Sequence, residues 1–457
     1  MGSRRVPNDL LRALLDEAGW TGEALARSVN ALGAEVGLLL RYRRSTVSHW
    51  LSGMRPRPPV PELVAESFVR RLGRPITVGA TGLEDPAVRA VSVAVGQWWE
   101  GNTVARLVEL AGHGQRRRGF MTGCVYSLAS LSVPGWAELT AAPGGRRPDL
   151  DHATKIGRAE VDSATVMLRL FSDADCTFGG GRTRRAVSGY LGTTIAPWLR
   201  AEATSSVRRD LLIAASQLTY LCGFMCFDDQ LHGAAQRYYR TSLRLSAEAG
   251  DANSHAVTLR GLSAQARLLG HHRQAVDLAE AAVRTGLASA SPQSQAFLLG
   301  QFAVATAAVG DHRAAIAHLT KAERFLERSD STPKSVGACH PASLAHQQAA
   351  VADCLGDRRG ALIALESSIR HRPASERRSR VITLARLAEL QFAGGQLETA
   401  CHTWHRFLDD YPDLRSGRAD RAFAHLRACA RPCEANAVAR QLGLRAASLA
   451  AARRSTG

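Results

Sequence analysis

Apolar residues at helical spacing divide the first part of the chain into short amphipathic elements. "NDLLRALLDEAG" reads as a first helix, with Asn8 as N-cap and Gly19 as its stop. "TGEALARSVNALG" reads as a second, capped by Thr21, with Leu25 and Val29 on its apolar stripe. "AEVGLLLRYRR" and then "YRRSTVSHWLSGMRPRP", residues 42–58, follow. "PPVPELVAESFVRRLGR" begins another helix after a proline cluster. Residues 1–82 therefore form one small helical domain.

From 83 to 207 the pattern predicts a helical connecting region, broken at "SVPGWAEL" and "AAPGGRRPD". The uncharged run "LLIAASQLTYLCGFMCF", 211–227, is interrupted by Ser216, Gln217 and Thr219. It reads as a buried helix, and no membrane partner is expected.

The last half, 208–450, repeats. Segments starting at Asp229, Gly270, Gly310, Gly356 and Gly395 recur about every 40 residues. Each carries an alanine five positions on: Ala234, Ala275, Ala315, Ala361 and Ala400. Gly or Asp ends one helix, and the small Ala lets the next pack closely. A helical hairpin cannot bury its own face, so hairpins stack. The expected fold is all-α: an N-terminal helix-turn-helix domain, a helical middle and a C-terminal tetratricopeptide-like α-solenoid.

Composition refines this picture. The chain has 457 residues, 45% of them hydrophobic, and a formal charge of +17. Such a charge favours an anionic partner. Lys155, Lys321 and Lys334 are the lysines, so arginine supplies the rest, as a GC-rich genome would dictate. Placement is more informative than number. Over 41–74, Arg41, Arg43, Arg44, Arg55, Arg57, Arg70, Arg71 and Arg74 outnumber Glu62 and Glu66. The nine cysteines follow no disulfide-like spacing and read as reduced thiols in a cytoplasmic protein.

In residues 42–58, Ser45 is placed as the N-cap of a helix that ends near Ser52, with Gly53 just beyond. Val47, Trp50 and Leu51 share the face to be buried. Ser45, Thr46, Ser48 and His49 supply the small polar side chains that permit close approach in a major groove. Arg43 and Arg44 before the helix, and Arg55 and Arg57 after it, would reach phosphates.

The pattern "EALARSVN…STVSHWLSGMRP" resembles the helix-turn-helix of lambda-repressor-like (Xre-type) bacterial regulators, with Leu25 and Ala26 as the "LA" pair. The segment joining the two helices is longer than the usual tight turn. With "FSDADCTFGGGRTRRAVSGYLGTTIAPWL" and "CFDDQLHGAAQRYYRTSLRLSAEAGD", most of the chain resembles actinobacterial regulators that join this motif to tetratricopeptide repeats. That resemblance implies a transcriptional regulator of development or secondary metabolism. Its partner would be double-stranded DNA, bound as a homodimer, with a peptide or protein effector on the repeats. The alternative is a repeat scaffold that does not bind DNA and acts through protein contacts.

Other motifs carry less. Gly179, Gly180 and Gly181 lack the Gly-Lys-Ser/Thr of a phosphate loop and read as a tight turn. Cys401, His402, His405, His425, Cys429 and Cys433 are read as repeat-helix side chains rather than metal ligands. No metal, cofactor or catalytic residue is assigned, and the chain is not expected to be an enzyme.

Overall fold

Asn8 starts the first helix through its side chain, whose Oδ1 accepts from the Leu11 backbone N–H at 3.0 Å. The computed structural model describes residues 6–35, 38–74, 76–84, 101–115, 125–141, 151–329 and 339–455. Helix α1 (Asp9–Ala18) ends at Gly19, whose φ of 61° is left-handed. Thr21 opens α2 (Gly22–Glu35), its Oγ1 accepting from the Ala24 N–H at 3.2 Å. Helices α3 (Arg44–Leu51) and α4 (Val60–Leu72) complete the N-terminal unit. Leu11, Leu15, Leu25, Val29, Val47, Trp50, Leu63 and Phe68 form its core. Each such burial contributes about 1.5–3 kcal/mol before entropy is counted.

Helices α5 (Thr103–Gln115), α6 (Trp136–Ala141), α7 (Arg158–Phe178) and α8 (Gly180–Tyr190) follow. Helix α8 continues through a π-helical turn, Leu191–Ile195. Residues Asp151–Lys155 pair in parallel with Ala201–Glu202, a minor strand contact in an all-α fold.

Five helical hairpins then stack. They are α9 (Ser205–Asp228) with α10 (His232–Ala249), α11 (Ala252–Leu268) with α12 (His272–Gly286), and α13 (Pro292–Ala308) with α14 (His312–Glu327). Next come α15 (Pro341–Cys354) with α16 (Arg358–Arg370), and α17 (Arg377–Ala393) with α18 (Leu397–Asp410). The apolar run at 211–227 lies within α9, where Leu211, Leu218, Leu221 and Met225 are buried in the repeat core.

One turn geometry serves all five hairpins. Gln230, Gly270, Gly310, Gly356 and Gly395 have φ of 62°, 83°, 85°, 78° and 78°. The residue after each donates its N–H to the carbonyl five positions earlier, as His271 does to Ala266 and Asp311 to Thr306. This is a Schellman closure of the preceding helix. It corrects the repeat register in the first copy by one residue. Gln230 stands where the other turns have glycine, so Ala235, not Ala234, is equivalent to Ala275, Ala315, Ala361 and Ala400. All five alanines are buried at the helix–helix contact.

A terminal hairpin, α19 (Gly417–Ala430) and α20 (Ala437–Ser455), covers the last repeat through Trp404, Phe407, Tyr411 and Phe423. Its turn is a 3-10 segment, Arg431–Cys433, rather than a glycine.

The glycine run marks a chain crossing. Gly181 N–H donates to Arg415 O at 3.0 Å, and Arg415 N–H to Phe178 O at 2.8 Å. Gly179 has φ of 82°, and a Cβ there would lie 2.4 Å from Arg415 O. The last repeats thereby return to the first. Arg378 Nη2 lies 3.1 Å from Asp175 Oδ2, and Arg418 Nη2 lies 2.7 Å from Asp228 Oδ1.

Candidate interaction surfaces

Helix α3 starts earlier than its sequence suggests. Arg43, not Ser45, is the N-cap. Arg44 N–H donates to Glu23 Oε2 at 2.9 Å, and Arg43 N–H to Thr46 Oγ1 at 3.4 Å. The Thr46 and Val47 N–H groups bond the Arg43 carbonyl at 2.9 and 3.4 Å, so the helix is already under way at Ser45. Gly53, with φ of 93°, follows the helix as expected. Val47 and Trp50 are buried, and Trp50 meets Tyr42 edge-on at 5.3 Å.

The opposite face is open. Arg43, Arg44, Ser45, Ser48, His49, Arg55 and Arg57 are exposed, and Thr46 is half-buried. Part of its hydrogen-bonding capacity is turned inward: Ser48 Oγ donates to Arg44 O at 3.1 Å, and Ser52 Oγ to His49 O at 2.8 Å. The connection from α2 to α3 is not a tight turn. Asn30 holds it, its side chain bonding the N–H and the carbonyl of Tyr42 at 2.9 Å each.

A second surface lies on α10. His232, Gln236, Arg240, Arg244 and Glu248 stand four residues apart and share one face. That face holds the chain's own segment 125–131. Gln236 Oε1 accepts from Ser127 N–H at 2.9 Å, and Gln236 Nε2 donates to Ser127 O at 2.8 Å. One side-chain amide thus satisfies both backbone groups of one residue, as a neighbouring β-strand would. Arg240 Nη1 donates to Ser130 Oγ at 3.1 Å. Arg244 donates to Gly101 O, and Thr103 Oγ1 to Glu248. The Tyr126 ring stacks on His271 at 5.7 Å and 6°, and Trp136 meets His255 at 4.8 Å.

The N-terminal unit holds the same segment from the other side. Glu66 on α4 accepts from Leu128 N–H at 3.1 and 3.2 Å through its two oxygens. Arg70 Nε bonds Glu66 at 3.0 Å, and its two terminal nitrogens fork onto Glu35 at 2.8 Å each. Burial pushes the Glu66 carboxyl up to about 7 against the pull of Arg70. Burial also pushes the His271 and His255 imidazoles down to about 4, so both stay neutral at pH 7.

None of the α10 residues stands out in sequence. The available signal is the four-residue spacing of polar side chains in "HGAAQRYYRTSLRLSAE". Of the cysteine and histidine group at 401–433, His425 and Cys429 meet at 3.5 Å on one helix face. Cys401 is buried, His405 lies against Arg445 at 3.3 Å, and His425 lies near Glu389 at 3.4 Å. Among the described residues no three metal-ligating side chains come together.

These features define a helical-repeat protein of the tetratricopeptide-like kind, with an N-terminal helical unit docked on the first repeats. Residues 11–84 match the family model described as the SP15 N-terminal domain. No curated protein matches the chain. Among solved structures it is similar to the "Crystal structure of APC/C hetero-tetramer Cut9-Hcn1", at 14% identity and a TM-score of 0.33, over 95% of this chain and 73% of that one.

Proposed function

We propose that this chain is an interaction protein that works through protein–protein contacts, its repeats forming the scaffold. The observation that carries this reading is the Gln236 hold on Ser127. A helix face that bonds both backbone groups of one residue has the chemistry for holding polypeptide. Each such bond is worth about 1 kcal/mol net, so recognition needs several together. The chain acts by binding rather than catalysis, in the cytoplasm, where Cys222, Cys226, Cys339 and Cys401 stay reduced.

The test is photo-crosslinking in cells from the exposed repeat positions Ile316 and Ile363. Adducts to a reproducible protein support the reading. Adducts confined to copies of this chain, or none at all, contradict it.

The exposed arginines around α3 favour a second reading. Arg43, Arg44, Arg55 and Arg57 frame His49 on the open face. In that reading the chain is a DNA-binding transcriptional regulator with an Xre-type helix-turn-helix, like the actinobacterial regulators it resembles, acting as a homodimer. Phosphates would meet the arginines, and base edges would meet Ser45, Thr46, Ser48 and His49. Arg55→Ala would then lower the salt slope of binding by about one. Absence of salt-dependent binding to double-stranded DNA leaves the first reading alone.

A further inference from the structure

The segment 125–131 is held by two separate parts of the molecule at adjacent residues. Ser127 belongs to the repeat, through Gln236. Leu128 is bonded to the N-terminal unit through Glu66, which also takes the Ser127 side chain, while the Leu128 side chain packs against both cores. Around them the contacts have a fixed order. Tyr126 stacks on His271, Ser127 offers backbone, Leu128 packs between the N-terminal and repeat cores, and the Ser130 hydroxyl accepts from Arg240.

We propose that the α10 face is a peptide-binding surface whose resident occupant is this segment, which turns into a 3-10 helix at Ala129–Leu131, and that a partner's segment of the same chemistry and turn takes its place. The fitting sequence is an aromatic residue, a residue with a free N–H, an apolar residue, a spacer and a hydroxyl residue. This deepens the protein-interaction reading and rests on it. Displacement has a consequence built into the register. A partner that takes Gln236 from Ser127 also draws Leu128 off Glu66, which loosens the N-terminal unit from the repeats.

The resident segment competes at an effective concentration on the order of millimolar, because it is part of the same chain. An isolated peptide making the same contacts therefore enters poorly unless the resident is weakened. A natural partner needs further contacts along the repeats.

The experiment uses the full chain carrying Ser127→Pro, which removes the N–H that Gln236 accepts. The probe is a fluorescent peptide with the sequence of residues 125–131, followed by anisotropy. We expect binding at least tenfold tighter than to the wild-type chain. Adding Gln236→Ala should weaken it at least tenfold. In the wild-type chain, millimolar peptide should speed hydrogen exchange at the Leu128 amide. Binding unaffected by Gln236→Ala overturns the proposal, as does no binding to a Ser127→Pro chain of unchanged helicity. Should Ser127→Pro not fold, Glu66→Ala frees the segment from the other side and carries the same expectations. Unchanged Leu128 exchange in the wild-type chain at millimolar peptide also overturns it. Ile316 and Ile363 lie on other helices, so failure here is distinguishable from failure of the scaffold reading.

Discussion

Arg378 Nη1 lies 3.6 Å from Asp228 Oδ1, which joins the fifth repeat to the first. Both side chains are buried, and Asp175 completes the cluster on the other side of the guanidinium. Burial alone would raise the Asp228 carboxyl; Arg418 and Arg378 together hold it below its ordinary value. Removing one partner from a buried pair strands the other charge, at about 3–5 kcal/mol. Arg378→Ala should therefore lower the thermal midpoint and increase the radius of gyration by small-angle scattering as the repeats open. An unchanged radius would show that the glycine crossing at Arg415 and the Arg418–Asp228 pair suffice to hold the ends together.

The turns make a prediction of opposite sign. Gln230 occupies a left-handed conformation that the other four repeats give to glycine. A non-glycine residue there carries roughly 1–2 kcal/mol of strain. Gln230→Gly should raise the urea midpoint, while Gly310→Ala should lower it by a similar amount. Space is not the reason, since a Cβ at Gly310 would meet nothing within 4 Å.

These turns also explain what was legible in the sequence. Four of the five repeats announce themselves through glycine, because few other residues accept that φ. The first copy is misread by one position because Gln230 hides the same geometry. The terminal hairpin is invisible because Arg431–Cys433 turns without glycine. The buried face of α3 could be read from Val47 and Trp50, but its start could not, since Glu23 supplies the acceptor from another helix. The α10 face was illegible because its partners, Gly101, Thr103, Ser127 and Ser130, are remote in sequence. Polar residues four apart read, in isolation, as a solvated helix face.

Trp50 anchors the N-terminal unit at 2% exposure. Trp50→Ala should cost about 3–5 kcal/mol there. Hydrogen exchange should rise across α1 to α4, while the central hairpins keep their protection. Equal loss in the repeats would mean that the two parts unfold as one.

Glu66 gives the docking a pH dependence. Burial lifts its carboxyl from 4.5 to about 7, so the folded chain binds that proton more tightly than the unfolded chain does. The resulting stability is complete below pH 4.5 and is lost as pH rises through about 7. Glu66→Gln should thus be stabilising at pH 8, by roughly 3 kcal/mol at most, and neutral near pH 4.5. Arg70 remains paired with Glu35 in the variant. His271 and His255 act in the other sense, their contribution present above 6.5 and lost as pH falls through about 4. The difference between variant and wild type isolates Glu66. A difference that does not change with pH contradicts the assignment.

The most direct measurement of the central claim is hydrogen exchange on the full chain, alone and in the complex recovered by crosslinking from the repeats. Protein-mediated function predicts new protection on the repeat helices, with none gained on residues 43–57. Protection gained only on 43–57, and only when double-stranded DNA is present, would contradict it.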